Sequence, residues 1–300
     1  MNNIIELKNV SFKYGDKFIL DKINLKIPSN SIYGFLGNNG SGKTTTIKIL
    51  LGLLRIQSGE VFYYGEKFPD NKNKILNRIG SFIESPTLYP NMNVSDYLKT
   101  KQIPLKIPQK NIDKYINLLG LENYKKKKTK ELSLGLKQRL SIAYALINEP
   151  DILILDEPTN GLDPSGIKEV RDLILTLNKE HGKTIFISSH LLTEVEKIAS
   201  KIAIIDNAKI LYEGSLKDFG LNNNEKIELE VNEPENALLV IEKIGYKAEI
   251  NNETNVIICE CNKNDIGKIS HALVENNIIV TSFTSKKNSL EDMYFNLKQQ

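Results

Sequence analysis

Apolar residues along the first two thirds of the chain follow two kinds of spacing. Short apolar runs bounded by turn residues are typical of buried strands, and apolar residues that recur every three or four positions are typical of helices. We predict strands at 31–36, 60–64, 79–83, 152–155 and 184–188. We predict helices at 45–54, 134–146, 164–181 and 193–199, with Asp163 as the N-cap of the third helix and Thr193 as the cap of the fourth. Strands that alternate with helices in this way indicate an α/β core.

The pattern is different at both ends of this core. Residues 4–14 and 18–27 partly alternate between apolar and polar on either side of Gly15-Asp16, which predicts an antiparallel β subdomain. Residues 201–206 and 208–212 predict a hairpin that turns over Asp206-Asn207. Both pairs of strands would therefore extend the core with antiparallel structure.

The stretch from about 87 to 149 is mostly helical in character. Its helical patterns, such as 94–99 and 111–119, are interrupted by Pro90, Pro104, Pro108 and Gly120. Proline and glycine break helices because of their backbone restrictions. We therefore expect a helical subdomain at about 87–149, inserted in the core.

A second unit follows at 216–300. Its apolar pattern predicts strand, helix, two strands, helix and strand at 226–231, 236–244, 246–250, 255–261, 265–275 and 278–284, with a last helix at 290–297. This order suits a small α+β domain of the ferredoxin-like kind. We favour a spacer or dimerisation module over a ligand sensor for this unit, because none of its residues suggests chemistry.

Composition agrees with two globular units. The chain has 300 residues, of which 40% are hydrophobic and 26% charged. The formal net charge of +3 is too balanced for a typical nucleic-acid binder. No apolar run approaches the roughly 20 residues of a membrane helix, and the N terminus does not resemble a signal peptide. Cys259 and Cys261 are read as small buried hydrophobes, not as metal ligands.

A glycine-rich motif between a predicted strand and a predicted helix carries the clearest chemistry. It consists of Gly37, Asn38, Asn39, Gly40, Ser41, Gly42, Lys43 and Thr44, and it fits G-x-x-x-x-G-K-S/T. Glycines let successive N–H groups turn inward, and the following helix N-terminus adds partial positive charge. Lys43 would reach the β- and γ-phosphates, and the Thr44 hydroxyl would bind Mg²⁺. Nucleotide binding is thus favoured over a plain glycine turn.

Two carboxylates follow the buried run at 152–155. Acids at the carboxyl end of a buried strand lie where α/β folds place their ligands. Asp156 suits the Mg²⁺ held by Thr44, and Glu157 could act as general base on an attacking water. The alternative is a strand that ends in a polar turn.

Three further residues are ambiguous when judged alone. Ser133 is a good N-cap for a core helix, His190 could be a structural cap, and Tyr14 could be a rim aromatic. Each can be assigned a functional role only when it is considered together with the other motifs. The basic run at 125–128 is read as a solvated loop.

Over roughly residues 3 to 215, the chain resembles the nucleotide-binding subunit of ABC transporters. The motifs that carry the resemblance occur in order: the Walker A loop at 37–44, the signature at 132–138, Walker B at 152–157, the D-loop at 160–163 and the switch histidine His190. Tyr14 falls where the family stacks an aromatic ring on adenine. The resemblance implies a P-loop NTPase core with ATP and Mg²⁺ as cofactors.

Two departures from the usual family pattern narrow the resemblance. Leu134 stands where the signature usually has a glycine, with Lys137 before Gln138. Glu84, in Ile83-Glu84-Ser85-Pro86, stands where most relatives have glutamine. Both variations resemble the subgroup of bacitracin-type and lantibiotic-immunity ATPases.

The resemblance also implies a mechanism. Two subunits would pair head to tail, and Ser133 with the Gly135 N–H would contact the γ-phosphate held by the partner's phosphate loop. We predict that Glu84 ligates Mg²⁺ and couples site closure to the partner through the segment 87–98. Glu157, His190, Lys43 and Glu84 are then the expected catalytic residues. Tyr14, residues 37–44, Thr45, Ser133 and Gly135 would bind ATP, with Thr44, Asp156 and Glu84 at the metal.

Three functional classes remain open at this stage. The leading one is a bacterial ATPase subunit, peripheral on the inner face of the plasma membrane, that powers a separate permease for export of peptide antibiotics. An importer ATPase is the second, although Glu84 argues against it. A soluble ABC protein on ribosomes or nucleic acid is the third, disfavoured because the chain has one P-loop and no heptad run. We expect no nucleic-acid partner.

Overall fold

The computed structural model describes residues 3–84, 88–216, 218, 224–251, 254–262, 265–287 and 290–298. The chain divides into two compact units, Met1–Ser215 and Leu216–Gln300. Each unit has a sheet and a hydrophobic core of its own.

A six-stranded sheet forms the centre of the first unit. Its strands are β3 (Ile32–Leu36), β6 (Ile79–Phe82), β7 (Ile152–Asp156), β8 (Thr184–Ser189), β9 (Lys201–Asp206) and β10 (Lys209–Ser215), in the spatial order β10-β9-β3-β8-β7-β6. All neighbours are parallel except β9 and β10, which form the predicted hairpin. Strands β3, β7 and β8 are buried along their whole length. Their continuous apolar sequences are the consequence of burial on both faces.

A four-stranded antiparallel sheet is formed mainly by the N-terminal region. It contains β1 (Asn3–Tyr14), β2 (Lys17–Pro28), β4 (Ser58–Tyr63) and β5 (Glu66–Phe68), in the order β2-β1-β4-β5. The predicted pairing of β1 with β2 is confirmed. Strand β5 was not predicted, because three residues are too few to show a period.

Seven α-helices complete the described part of the first unit. They are α1 (Lys43–Leu50), α2 (Lys72–Leu76), α3 (Val94–Leu105), α4 (Gln109–Leu118), α5 (Leu134–Leu146), α6 (Pro164–Lys179) and α7 (Leu192–Glu196), with short 3-10 turns at Glu122–Tyr124 and Thr129–Glu131. Helices α3 and α4 pack on α5, which itself contacts β6 and α6. The α/β fold with a helical insertion is therefore confirmed.

Two local predictions were wrong. Pro104 was expected to interrupt a helix, but it lies inside α3, where it removes a single hydrogen bond close to the helix end. Thr193 was expected to cap α7, but α7 begins at Leu192 and its N-cap is Leu191, two positions before Thr193. The turn into α7 is instead held by Ser189, whose Oγ accepts a hydrogen bond of 2.9 Å from the Leu191 N–H.

The second unit is a small α+β domain. It contains β11 (Asn224–Val231), α8 (Pro234–Lys243), β12 (Lys247–Asn251), β13 (Val256–Asn262), α9 (Ile266–Glu275), β14 (Val280–Lys287) and α10 (Leu290–Lys298). Its antiparallel sheet has the order β12-β13-β11-β14. Cys259 and Cys261 are buried in its core beside Ile227 and Leu273.

Across the described ranges of both units, we find no helix with the length and apolar character needed to cross a membrane.

Candidate functional site

The glycine-rich loop between β3 and α1 wraps around the ammonium group of Lys43. The Lys43 Nζ donates to the carbonyl oxygens of Gly37 at 2.7 Å and Asn38 at 3.1 Å. A Cβ on Gly37 would lie only 2.4 Å from the Ile205 carbonyl oxygen, and Gly42 has a φ of 114°. Both positions therefore require glycine for the loop to take this shape.

The loop also offers groups that fit a phosphate. Gly42 precedes α1 and has no side chain to cap it, so the first N–H groups of the helix are left for a ligand. Ser41 Oγ is buried, and it has no hydrogen-bond partner in the described part of the chain. Free N–H groups, a buried hydroxyl and the Lys43 ammonium together form a site for a polyphosphate.

Asp156 is held by hydroxyl groups from two other segments. Thr44 Oγ1 donates to Asp156 Oδ2 at 2.9 Å, and Ser188 Oγ donates to Asp156 Oδ1 at 2.5 Å. The Asp156 side chain is almost fully buried. One carboxylate and one hydroxyl suit Mg²⁺, which prefers few protein ligands together with water and phosphate oxygens. The described residues contain no cluster of three or more His, Cys, Asp or Glu side chains that could hold a metal alone.

Ser188 is a site residue that sequence reasoning missed. Besides its bond to Asp156, its Oγ accepts a hydrogen bond of 3.0 Å from the Glu157 N–H. It was read only as the end of a strand. The available signal was its position at the carboxyl end of a buried strand, the same signal that singled out Asp156.

The Glu157 carboxylate lies between two basic side chains. Its Oε2 is 2.7 Å from His190 Nδ1 and accepts a longer bond of 3.3 Å from the His190 N–H. Its Oε1 is 3.3 Å from Lys43 Nζ. Glu157 has a φ of 49°, an uncommon conformation for a residue with a side chain, of the sort that clusters at functional sites. The structure thus places three of the predicted catalytic residues in one cluster.

Sheet register explains why these residues meet. Asp156 on β7 is level with Ser188 on β8, and Leu36 on β3 is level with Ser189. Since the strands are parallel, the loops that follow them emerge at one edge of the sheet. The three loops carry Lys43, Glu157 and His190.

Glu84 follows β6 at the same edge of the sheet. Its Oε1 lies 2.9 Å from Lys48 Nζ, and its φ is 60°. The hydrogen bond to Glu84 raises the pKa of Lys48, and electrostatic interactions with Tyr14 and Asp156 raise it further. Lys48 lies one helical turn after Thr44 on α1.

The segment after Glu84 is described only in part. Ser85, Pro86 and Thr87 lie outside the described residues, and so does the start of the predicted coupling segment 87–98. The rest of that segment contains the first five residues of α3.

Tyr14 ends β1 with an exposed ring. Its side chain is 56% exposed, and its ring meets the Phe12 ring edge to face at 4.9 Å. Phe12 supports the ring from one side. A face of Tyr14 is consequently open to a flat ligand group.

The signature and the D-loop lie elsewhere in the same unit. Ser133 Oγ caps α5 by accepting from the Leu136 N–H at 3.3 Å, and Asp163 Oδ1 caps α6 by accepting from the Gly166 N–H at 3.0 Å. Both caps were predicted and are confirmed. Within the described ranges, no hydrogen bond or ion pair links Ser133 or Gly135 to the phosphate loop.

Known proteins are similar to this chain in sequence. The family model described as ABC transporter matches residues 20–160. The bacitracin transport ATP-binding protein BcrA of Bacillus licheniformis is 40% identical over 300 residues, covering 99% of this chain and 98% of the relative. The lantibiotic transport ATP-binding protein SrtF of Streptococcus pyogenes is 42% identical over 226 residues, covering 74% of this chain and 97% of the relative.

Solved structures agree with the fold. The dimeric structure of MJ0796, a bacterial ABC transporter cassette, aligns with a TM-score of 0.63 and 27% identity over 71% of this chain and 98% of that one. A post-hydrolysis structure of the same cassette with ADP and Pi aligns with a TM-score of 0.62 and 28% identity, over the same shares of both chains.

Proposed function

The chain belongs to the ABC transporter family as an ATP-hydrolysing subunit, and on this premise we propose that it powers a separate membrane permease that moves peptide antibiotics. The observation that carries the proposal is the Glu157 carboxylate, held between His190 and Lys43 at the mouth of a phosphate loop. This arrangement has the two parts that ATP hydrolysis requires, a cradle for the phosphates and a base positioned beside it.

The glycine-rich loop and Tyr14 bind the substrate, ATP. The N–H groups of the loop and α1, with Ser41 Oγ, bind the phosphate oxygens of ATP, and Tyr14 stacks on the adenine ring. Lys43 would exchange its bonds with the Gly37 and Asn38 carbonyls for the β- and γ-phosphates. Thr44 and Asp156 would hold Mg²⁺, which neutralises charge on the phosphates.

Glu157 acts on the attacking water. Its carboxylate takes a proton as the water oxygen bonds to the γ-phosphorus and the bond to the ADP oxygen breaks. His190 keeps the Glu157 carboxylate in place through its Nδ1. Because a reacting group displaced by about 1 Å can lose roughly a hundredfold in rate, this positioning is part of the catalysis.

A second subunit would complete the site. Ser133 and Gly135 have no link to the phosphate loop of their own chain within the described residues, which supports a role for them on the ATP of a head-to-tail partner. The dimeric structure of the MJ0796 cassette supports the pairing of two subunits. Such a dimer would work at the inner face of a bacterial plasma membrane, on the permease.

Peptide antibiotics are the substrate class that the relatives favour. BcrA and SrtF are named for bacitracin and lantibiotic transport, and both are at least 40% identical to this chain. Glu84 and Leu134, the two departures from the usual family pattern, support the same subgroup.

The test is affinity purification of tagged Glu157→Gln protein in mild detergent with ATP and Mg²⁺. We expect a polytopic membrane protein to co-purify, and deletion of its gene to change sensitivity to bacitracin or a lantibiotic. The wild-type protein without nucleotide is the matched control. Recovery of ribosomes or nucleic acid, with no membrane protein, would overturn the proposed function.

A further inference from the structure

Leu134, the residue that departs from the usual signature, lies against the D-loop of its own chain. A Cβ built on Gly161 would be 3.1 Å from Cδ2 of Leu134, so the Leu134 side chain takes up the space beside Gly161 that a Cβ would need. Gly161 has a φ of 76° and follows Asn160 in the D-loop. The side chain of Leu134 is 40% exposed, so the contact covers it only in part.

A second leucine lies in the reciprocal position. Cδ2 of Leu162, on the D-loop, would lie 3.9 Å from a Cβ on Gly135, the residue after Leu134. Leu162 also lies over Gly166 in the first turn of α6, 3.4 Å from its Cβ position. Each leucine therefore faces a glycine of the other segment. We refer to Leu134, Gly135, Gly161 and Leu162 as the leucine–glycine clasp.

The clasp joins two caps. Ser133 caps α5 immediately before Leu134, and Asp163 caps α6 immediately after Leu162. Both helices therefore begin beside the clasp, each with its start held by a side chain. A displacement of α5 relative to α6 would have to separate these apolar contacts, because the starts of the two helices adjoin them.

We propose that Leu134 is a positioning residue, which fixes the signature to the D-loop so that one chain presents both to its partner's ATP as a single surface. Glycine at this position would have no side chain to reach Gly161, so the two segments would be free to move separately. The inference rests on the head-to-tail dimer of the proposed function. It adds that Leu134 holds together the signature and the D-loop, which form the surface facing the partner.

The experiment compares Leu134→Ala with Leu134→Met and with Leu105→Ala. Leu105 is a partly exposed leucine on α3, so its replacement is a matched loss of side chain away from the clasp. Methionine keeps an apolar side chain of similar volume. Measured quantities are the affinity of the monomer for a fluorescent ATP analogue, ATP-dependent dimerisation in the Glu157→Gln background, and kcat with the Hill coefficient.

We expect Leu134→Ala to leave monomer affinity and melting temperature unchanged, and to weaken dimerisation by roughly three- to thirtyfold, the range of coupling effects of residues outside the ligand contacts. Its kcat should fall together with its Hill coefficient. Leu134→Met should retain most of the wild-type values, and Leu105→Ala should be indistinguishable from the wild type.

The outcomes separate this inference from the proposed function. If Glu157→Gln protein with native Leu134 stays monomeric with ATP, the head-to-tail dimer itself is wrong. If it dimerises, but Leu134→Ala dimerises equally well and hydrolyses ATP with unchanged kcat and Hill coefficient, the clasp has no positioning role. Equal loss of dimerisation in Leu134→Ala and Leu105→Ala would also contradict it.

Discussion

Nδ1 of His190 lies 2.7 Å from Oε2 of Glu157, and these two atoms come from loops that follow adjacent parallel strands. The second oxygen of the same carboxylate faces Lys43 Nζ at 3.3 Å. Oε2 of Glu157 thus has a hydrogen-bonding partner in His190, and Oε1 faces the ammonium that would bind the phosphates. Rotation of this carboxylate requires that both contacts change.

Replacement of Glu157 by glutamine should abolish turnover and keep ATP binding. The amide has nearly the same shape but cannot accept the proton from water, and the loss of a general base costs about a hundredfold or more in rate. Steady-state phosphate release and equilibrium binding of a fluorescent ATP analogue measure the two effects. Hydrolysis at the wild-type rate by this variant would exclude Glu157 as the base.

His190→Ala should lower kcat because the Glu157 carboxylate is then no longer held in position, and it should have no separate effect on the reaction. We expect a loss of about a hundredfold in kcat, the cost of a misplaced reacting group, with KM for ATP nearly unchanged. Because His190 acts on the same carboxylate, the double variant with Glu157→Gln should be no slower than Glu157→Gln alone. Additive losses in this cycle would show that His190 acts on the phosphates directly.

Glu84→Gln should change the Mg²⁺ dependence of hydrolysis more than the affinity for ATP. If Glu84 contributes to the metal, the Mg²⁺ concentration at half-maximal rate should rise by about tenfold, the scale of losses around metal sites. Titration of Mg²⁺ at saturating ATP measures it. An unchanged Mg²⁺ titration would contradict the assignment.

Lys48 provides the matched control for Glu84. The Lys48 ammonium forms an ion pair with the Glu84 carboxylate at 2.9 Å, so it competes with a metal for that carboxylate. Lys48→Gln should therefore lower the half-maximal Mg²⁺ concentration when Glu84 is present and have no effect when residue 84 is glutamine. Equal effects in both backgrounds would show that Lys48 acts on the site without Glu84.

Lys101 makes the stability of the helical subdomain depend on pH. Its Nζ donates to the Tyr144 carbonyl oxygen and to Asn148 Oδ1, both at 2.7 Å, at the end of α5. Burial lowers the pKa of Lys101 to about 8, from an ordinary value of 10.5. Between these values the folded protein has released a proton that the unfolded chain retains, so the free energy of unfolding increases with pH.

The measurement compares wild type with Lys101→Met in urea between pH 7 and 11. From pH 7 to pH 11, the free energy of unfolding of the wild type should increase by about 3 kcal/mol relative to that of Lys101→Met. The size follows because one pKa unit corresponds to about 1.4 kcal/mol. Lys110→Met, which removes an exposed lysine of α4, should show no such pH dependence. A constant difference for Lys101→Met would exclude the lowered pKa.

Most of the architecture was predictable because the signals are local. The buried runs at β3, β7 and β8, the caps at Ser133 and Asp163, and the glycine-rich loop each depend on a few consecutive residues. The order of the motifs then supplied the family, which the relatives confirm.

The contacts within the site were not predictable, because they depend on which strands are neighbours. Nothing local places β8 between β3 and β7, yet that order is what brings Ser188 to Asp156. The pairing of Lys48 with Glu84 likewise joins α1 to the segment after β6, 36 positions further along the chain. The contact of Leu134 with Gly161 joins two turns that are separate in sequence.

The hydrogen bond from Thr44 to Asp156 spans 112 positions of the chain. During synthesis, the phosphate loop leaves the ribosome long before its acidic partners exist, and the helical insertion is made in between. Parallel strands joined by such long connections pair late, because the loop-closure entropy is lost before the contacts form. A nascent chain therefore cannot bind nucleotide with the complete site until the segment through His190 has been made. Tight nucleotide binding then indicates that the first unit has finished folding.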